Sequence, residues 1–580
     1  MSEATNYQMP YSLRRLFATL LVYCNPVNPI ELWKQFEDSM SEDFKILSNM
    51  NAKDIRFMAL NHINDILHLM GRDINEYNMI HEKSKPSAVV RETNDCQFER
   101  NIIVREEDLL LERKLNTEQR KAYDTILKRI FSNKSVAFFV DGPEGPGKTF
   151  LYRALLAAIR SKGFVALATT SSGVAASILP EGRTAHYRFK FFIDIDEQYS
   201  CNISKQSTLA ALIRDAKLIV WDEVSMTKEK VIETFDILLK DLMDTNALFG
   251  GKVVVFDGHF RQTLSVVRSG KKEDFIQENL LYSEIWNQLE KLRLSENMCA
   301  KTDPTFCEYL MRIGNGQEKT DSYDKIEIPD CFVIPFIFEN QSLDLLFRVT
   351  YLDLHRCFSD ASSMTSRVIL TTKNDFFYEI NDLLISQFPG DPKTYVAFDE
   401  TIETNDQSQY EDFLHTLHPA SLPPHILTLQ KNCPIMLLRN LNSCEGLCYG
   451  TRLISCDLQK HVISAKIATG DFKNMHVFIP KIPLLSSADE KLPIPFKRTQ
   501  FPLRLCFAMT INKAQGQTLD FVVVYLRESV FSHGQLYVAL SRAKSSNCVK
   551  LLIRPPTIDS DDDHSTYSIV YDKIIQKAFA

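Results

Sequence analysis

The run Gly142-Pro143-Glu144-Gly145-Pro146-Gly147-Lys148-Thr149 constrains this chain more than any other stretch. It matches the phosphate-binding pattern G-x-x-x-x-G-K-[ST] at every fixed position. An apolar run from Ser135 to Val140 precedes it, and Phe150, Leu151, Ala154, Leu155, Ala158 and Ile159 follow at helical spacing up to Gly163. A strand, a glycine-rich turn and a helix in that order predict an α/β sheet with a nucleoside triphosphate at the turn. Glycines let backbone N–H groups curl around phosphate oxygens, and the helix N-terminus adds its positive end. Lys148 is then the group that reaches the β- and γ-phosphates, and the Thr149 hydroxyl the one that holds Mg²⁺.

Short apolar runs continue downstream at Val165 to Ala168, Leu218 to Trp221 and Val253 to Phe256, with a second block from Arg367 to Leu370. Strands apolar on both faces and separated by helical stretches predict a parallel sheet covered on both sides. Trp221-Asp222-Glu223 ends one of them. A carboxylate there completes the metal site, which is the work of Asp222, and Glu223 polarises the attacking water. Before Leu115 the pattern is mostly helical, and from about Pro389 to Arg504 it turns to Pro-rich short strands, read as a small β-module inserted in the second α/β unit. The expected regions are a helical 1–112, a first α/β domain 113–298, a second one split into 299–388 and 505–580, and the insert 389–504. Asp559 to Asp563 is read as a solvated loop.

Composition narrows the class without naming it. The 580 residues are 44% hydrophobic and 24% charged, which excludes a disordered or fibrous chain. The apolar stretch from Leu16 to Cys24 is too short for a bilayer span, and no basic patch with an apolar core opens the chain, so neither membrane association nor a signal peptide is expected. Thirteen scattered cysteines read as reduced, intracellular thiols with no structural metal. A net charge of −7 excludes an overall basic coat but leaves room for a local basic channel.

Further motifs narrow the choice of phosphate-loop protein: Leu115 to Gln119, Thr169 to Ala176, Arg183 to His186, Phe249 to Gln262, Ala508 to Thr518, and Gly534 to Arg542. In this order the set resembles the superfamily-one DNA helicases of the petite-integration-frequency family, and most of all the helicase part of Helitron transposon proteins. The resemblance covers nearly the whole chain. It implies two RecA-like parallel-sheet domains with an SH3-like insert in the second. It also implies an ATP- and Mg²⁺-dependent helicase that acts 5′→3′ on single-stranded and forked or partial duplex DNA. Genome maintenance (repair, recombination, telomere work) and a nuclear location follow only from the resemblance. Carried over to this sequence, Gln119 contacts adenine, Gln262 senses the γ-phosphate and Arg542 is the arginine finger. Thr170, Ser171, Thr184, His186, Thr510, Asn512 and Lys513 lie in motifs that resemble DNA-strand contacts. The residues themselves leave alternatives open: Thr170 and Ser171 as helix caps, His186 as a core histidine.

The chain departs from the family pattern at four places. His259 stands where an Asp is usual, with Asp257 two residues earlier, and Ser265 replaces a proline. Cys299 occupies the place of an arginine that approaches the γ-phosphate, and Tyr449 replaces a small amide. These departures favour a second reading, an ATP- and DNA-binding helicase remnant with little turnover. A small-molecule kinase is the third, and it leaves Thr510 to Thr518 and Gly534 to Arg542 unexplained. No H-x-H triplet is present, so the reading is a helicase part without the upstream Helitron nuclease.

Overall fold

The structure is a computed structural model. It describes all residues except 8, 48–51, 71, 80–98, 101, 103, 133, 143–146, 177, 192–200, 202, 266–269, 296–302, 352–360, 403–412, 420, 443–444, 471, 487–491, 493, 556–563 and 580. Pro143, Glu144, Gly145, Pro146, Cys299 and the Asp559 to Asp563 run therefore lie outside the described residues. The chain forms two compact units. One comprises residues 1–95, 353–365 and 378–508, and the other 96–352, 366–377 and 509–580.

The second unit holds two sheets. The first has strands β1 (Ala137–Asp141), β2 (Val165–Thr170), β3 (Arg183–Thr184), β4 (Ala216–Asp222), β5 (Val254–Asp257) and β6 (Glu290–Arg293), in spatial order β3-β2-β4-β5-β1-β6. Every pairing is parallel. Phe138, Val140, Val220 and Val255 pack on one face with Leu151, Leu155 and Ile159 of helix α1 (Lys148–Arg160). Phe139, Trp221 and Phe256 pack on the other with Phe235, Phe260 and Trp286. Burial of both faces is why these strands read as unbroken apolar runs rather than alternating ones.

The second sheet consists of β7 (Val333–Ile334), β8 (Arg367–Thr371), β9 (Ala508–Thr510), β10 (Phe521–Leu526) and β11 (Val549–Ile553), in the order β9-β8-β10-β11-β7. Its registered pairs β8/β10, β10/β11 and β11/β7 are parallel. Two covered parallel sheets are the RecA-like pair expected from the sequence.

The other unit joins segments that the sequence reading separates. Helices Pro10–Cys24, Pro29–Met40 and Ala52–Leu69 bury Leu13, Leu16, Phe17, Trp33, Ile63 and Leu67. Val462 and Phe478, from an antiparallel five-stranded sheet of the 389–504 stretch, complete the same core. The Arg15–Glu445 ion pair at 2.6 Å, nearly buried, ties the helix Pro10–Cys24 to the segment between the strands Pro434–Leu437 and Arg452–Leu458 of that sheet. An amphipathic helix and a one-sided sheet each leave an apolar face that must be covered, so the helical region and the insert form one body.

Candidate functional site

Parallel pairing brings the C-terminal ends of β4, β5 and β1 to one edge of the first sheet. Thr184 is registered with Thr170, Thr170 with Asp222, and Asp257 with Val140. Trp221 pairs with Phe256, which sets Asp222 and Asp257 abreast at their strand ends. The run read as a phosphate loop follows β1. Gly147 adopts φ +73°, a left-handed conformation that favours glycine. A Cβ there would also stand 2.6 Å from Nε2 of Gln119. Gln119 lies in a helix capped by Asn116; its Oε1 accepts from the Asn116 N–H and its Nε2 donates to the Gly147 carbonyl at 3.3 Å. The glutamine assigned to adenine contact is thus fixed against the loop.

Lys148 opens α1 and turns its ammonium inward. Nζ donates to the Gly142 carbonyl at 3.1 Å and pairs with Oδ1 of Asp257 at 2.9 Å. Burial disfavours the charged lysine, but Asp257, then Glu223 and Asp222, outweigh it and hold the proton more firmly than usual. Asp222 lies well above the ordinary carboxylate range because it is buried and faces Asp257 and Glu223, with Lys148 pulling the other way. The Tyr152 phenol is raised by burial and by the same carboxylates. Asp141, at the end of β1, is raised first by burial.

Glu223 sits at φ +56°, a strained conformation for a residue with a side chain. Its N–H donates to Asp222 Oδ1 at 2.9 Å. Thr149 follows Lys148, half-buried on the same edge. Thr149 and Asp222 would offer oxygen donors suited to a hard divalent cation. Such a cation would relieve the carboxylate repulsion that raises Asp222.

The residues after β5 take separate routes. At Gly258 a Cβ would meet the Ser225 backbone nitrogen at 2.9 Å, so the chain turns closely there. His259 is buried, and its Nε2 lies 2.8 Å from the Tyr537 hydroxyl. Burial, followed by the charges of Lys148, Arg261 and Arg542, keeps this imidazole neutral. Asp257 and His259 therefore do different work, as their separation of roughly 6–7 Å along a strand implies. Gln262 is buried and accepts at Oε1 from Nε2 of Gln515 at 2.7 Å. Arg542 ends the helix Gln535–Ser541; Nε donates to the Val538 carbonyl, and its terminal nitrogens donate to the Gln517 carbonyl and Ser541 Oγ.

The residues assigned to DNA divide into two kinds. Thr170 donates to the Ser172 carbonyl, and Ser171 Oγ is held by Trp221 Nε1 and Thr227 Oγ1. The capping role weighed for them falls instead to Ser172, whose Oγ accepts from the Ala175 N–H. His186 is exposed, edge-on to Phe191 at 5.9 Å, and is not a core histidine. Thr184 is half-buried beside it, and Thr510 is buried at the end of β9. Asn512 accepts weakly from Gln535 at 3.5 Å, and Lys513 Nζ lies 5.1 Å from the centroid of the Phe377 ring. Sequence reasoning did not single out Asp257, Tyr152, Gln515 and Tyr537 as functional, nor Tyr187. Tyr187 is 40% exposed, with the Lys190 ammonium 4.4 Å and the Arg183 guanidinium 5.4 Å from its ring. Its signal was an aromatic between cations next to His186.

A separate cluster, Asp399 with His415 and His425, has metal-ligating side chains. Fully buried Arg498 takes both Asp399 oxygens at 2.8 Å, and His425 Nδ1 shares Oδ2 at 2.9 Å. Both carboxylate oxygens are thereby engaged by Arg498, and the contact ties the strand Phe398–Thr401 to Phe496–Gln500.

Residues 114–324 match the family described as PIF1-like helicase, and residues 412–458 match the one described as DNA helicase Pif1, 2B domain. The chain is similar to the ATP-dependent DNA helicase PIF1 of Danio rerio, 24% identical over 458 residues, which are 77% of this chain and 62% of that protein. It thus spans less than two thirds of that relative. Its fold is similar to the crystal structure of Pif1 helicase from Candida albicans, with TM-score 0.54, 21% identity, and coverage of 80% of this chain and 98% of that one. It is also similar to Pif1 helicase from Bacteroides in complex with ADP-AlF3 and ssDNA, with TM-score 0.52, 20% identity and coverage of 78% and 95%.

Proposed function

We propose that the chain is a PIF1-like helicase, an ATP-dependent DNA helicase acting on single-stranded and forked DNA. One observation carries the reading. Lys148, Asp222 and Glu223 gather at one sheet edge, and Gln262, in the segment that follows β5, is bonded to Gln515, two residues beyond Lys513. A nucleotide-sensing residue and a strand-contacting segment are thereby in direct contact.

Lys148 receives the triphosphate oxygens, the loop N–H groups orient them, and Glu223 is positioned to accept a proton from water. Thr149 and Asp222 would hold Mg²⁺, which supplies charge neutralisation at the phosphates when bound. Gln262 reports the γ-phosphate to Gln515. On the DNA side, Tyr187 between Arg183 and Lys190 offers a ring for base stacking, worth roughly 1–3 kcal/mol per base, while Asn512 and Lys513 suit backbone contacts. The Bacteroides relative was solved with ADP-AlF3 and single-stranded DNA, which supports both ligands. The family resemblance also supports 5′→3′ movement, genome maintenance and a nuclear location.

The test is ATP hydrolysis titrated with single-stranded oligonucleotide, followed by unwinding of duplexes with 5′ or 3′ tails. DNA-stimulated turnover with unwinding from the 5′ tail is expected. Hydrolysis indifferent to DNA overturns the reading, and binding of both ligands without turnover leaves the chain a remnant.

A further inference from the structure

The carboxylate at the end of β5 has no part in the scheme above, yet it is the one that holds the phosphate-loop lysine. Strand β5 lies between β4, which ends in Asp222, and β1, which feeds the phosphate loop. A carboxylate at its tip is therefore aimed at the place where phosphate oxygens belong. Asp257 is 3% exposed and 2.9 Å from Lys148 Nζ. Glu223 and Asp222 face the same ammonium, so Lys148 has further carboxylates beside the one it pairs with. A free triphosphate entering here must both displace a carboxylate from Lys148 and approach several others.

We propose that Asp257 is a specificity determinant of the nucleotide site: it is the counter-ion that an incoming triphosphate displaces from Lys148, and it makes the site select the Mg²⁺ complex over the free anion. The proposal rests on the nucleotide-site reading above. Once displaced, the Asp257 carboxylate stands beside Asp222, where a divalent cation carried in with the phosphates replaces the lost ammonium. The exchange is one of ion pairs alone. Asp257 thus discriminates before any bond is broken, by leaving metal-free triphosphate with an uncompensated carboxylate next to it. A carboxylate with a purely structural role would instead fix Lys148 for folding and leave the metal preference untouched.

The experiment measures equilibrium binding of a fluorescent N-methylanthraniloyl ATP to the full chain, in Mg²⁺ and in EDTA. The native chain is expected to bind at least about tenfold more weakly in EDTA, and Asp257→Asn to recover at least about tenfold of that loss, each equivalent to one decade in Kd. Asp257→Glu, which keeps the charge, is expected to retain the native metal preference. Melting temperatures of the variants establish that they are folded. Equal EDTA affinity for the native chain and Asp257→Asn overturns the proposal. So does a native chain that binds the metal-free and Mg²⁺-loaded analogue alike, a result that needs no variant. The nucleotide-site reading fails separately, if Lys148→Ala binds the Mg²⁺-loaded analogue as tightly as the native chain.

Discussion

Gln515 and Gln262 share a buried amide–amide hydrogen bond of 2.7 Å, and the other end of Gln515 accepts from Thr263 Oγ1 at 2.6 Å. A single side chain from the segment after β9 thus holds two successive residues after β5. Gln515→Leu leaves both partners buried without it, and each such orphan costs about 1–3 kcal/mol. We predict that nucleotide affinity stays near native while stimulation of hydrolysis by single-stranded DNA falls about tenfold, the equivalent of 1.4 kcal/mol. Steady-state ATPase assays with and without oligonucleotide check this, and undiminished stimulation would remove Gln515 from the coupling.

Lys148→Ala is expected to weaken triphosphate binding by roughly 10²-fold, since charge-assisted bonds to phosphate contribute about 1.5–3 kcal/mol each. Calorimetric titration gives the affinity directly. ATP hydrolysis should fall below detection in the same variant.

Tyr537→Phe deletes only the hydroxyl that faces His259 Nε2 at 2.8 Å. The buried ring nitrogen then has lost its partner, and we expect a loss of about 1–3 kcal/mol in unfolding free energy. Urea denaturation of the two proteins decides the matter. An unchanged midpoint would mean that this contact contributes nothing to stability.

His533 sets a pH dependence. Its Nδ1 accepts from the Tyr571 N–H at 2.8 Å and Nε2 donates to the Phe260 carbonyl at 2.7 Å, so the folded state uses the neutral ring. Burial lowers its pKa to about 4 from an ordinary 6.5. Above about 6.5 neither state is protonated and the full stability is present. As pH falls from there towards 4 the unfolded chain takes up a proton that the folded one refuses, and about 3 kcal/mol is lost. His533→Gln removes that titration, so its stability deficit against native should narrow between pH 7 and pH 4.5. A deficit constant across the range would falsify the assignment.

Binding to single-stranded DNA should weaken steeply with salt and be largely indifferent to sequence, because phosphate neutralisation releases counterions. Tyr187→Ala is expected to cost roughly 1–3 kcal/mol of that affinity. Fluorescence anisotropy at several salt concentrations gives both numbers.

The strand before the glycine-rich run and the helix after it were legible because every residue in them answers to one core. The strand that ends in Asp222 was legible for the same reason. Asp257 was visible in the sequence but not its position, since only the strand order β4-β5-β1 puts the tip of β5 between Asp222 and the strand that leads to Lys148. Gln515 and Tyr537 lie more than 250 residues from their partners in sequence, and no local periodicity encodes such a contact. Likewise the helical start and the β-insert read as separate, because an apolar face says that it must be covered but not by what.

Strand order also has a consequence for synthesis. When the chain has been made as far as residue 500, the first sheet has all six strands, while the second has only β7 and β8. Those two are not neighbours: β10 and β11 belong between them. β8 has no neighbour until Ala508–Thr510 is made, and β7 none until Val549–Ile553. Domains generally fold as units from the N-terminal side during translation, at about 5–20 residues per second. For roughly 10–30 seconds after β8 is made, the emerging chain therefore carries a finished nucleotide-binding sheet beside two unpaired apolar strands, and in that interval it is most exposed to aggregation and most in need of a chaperone.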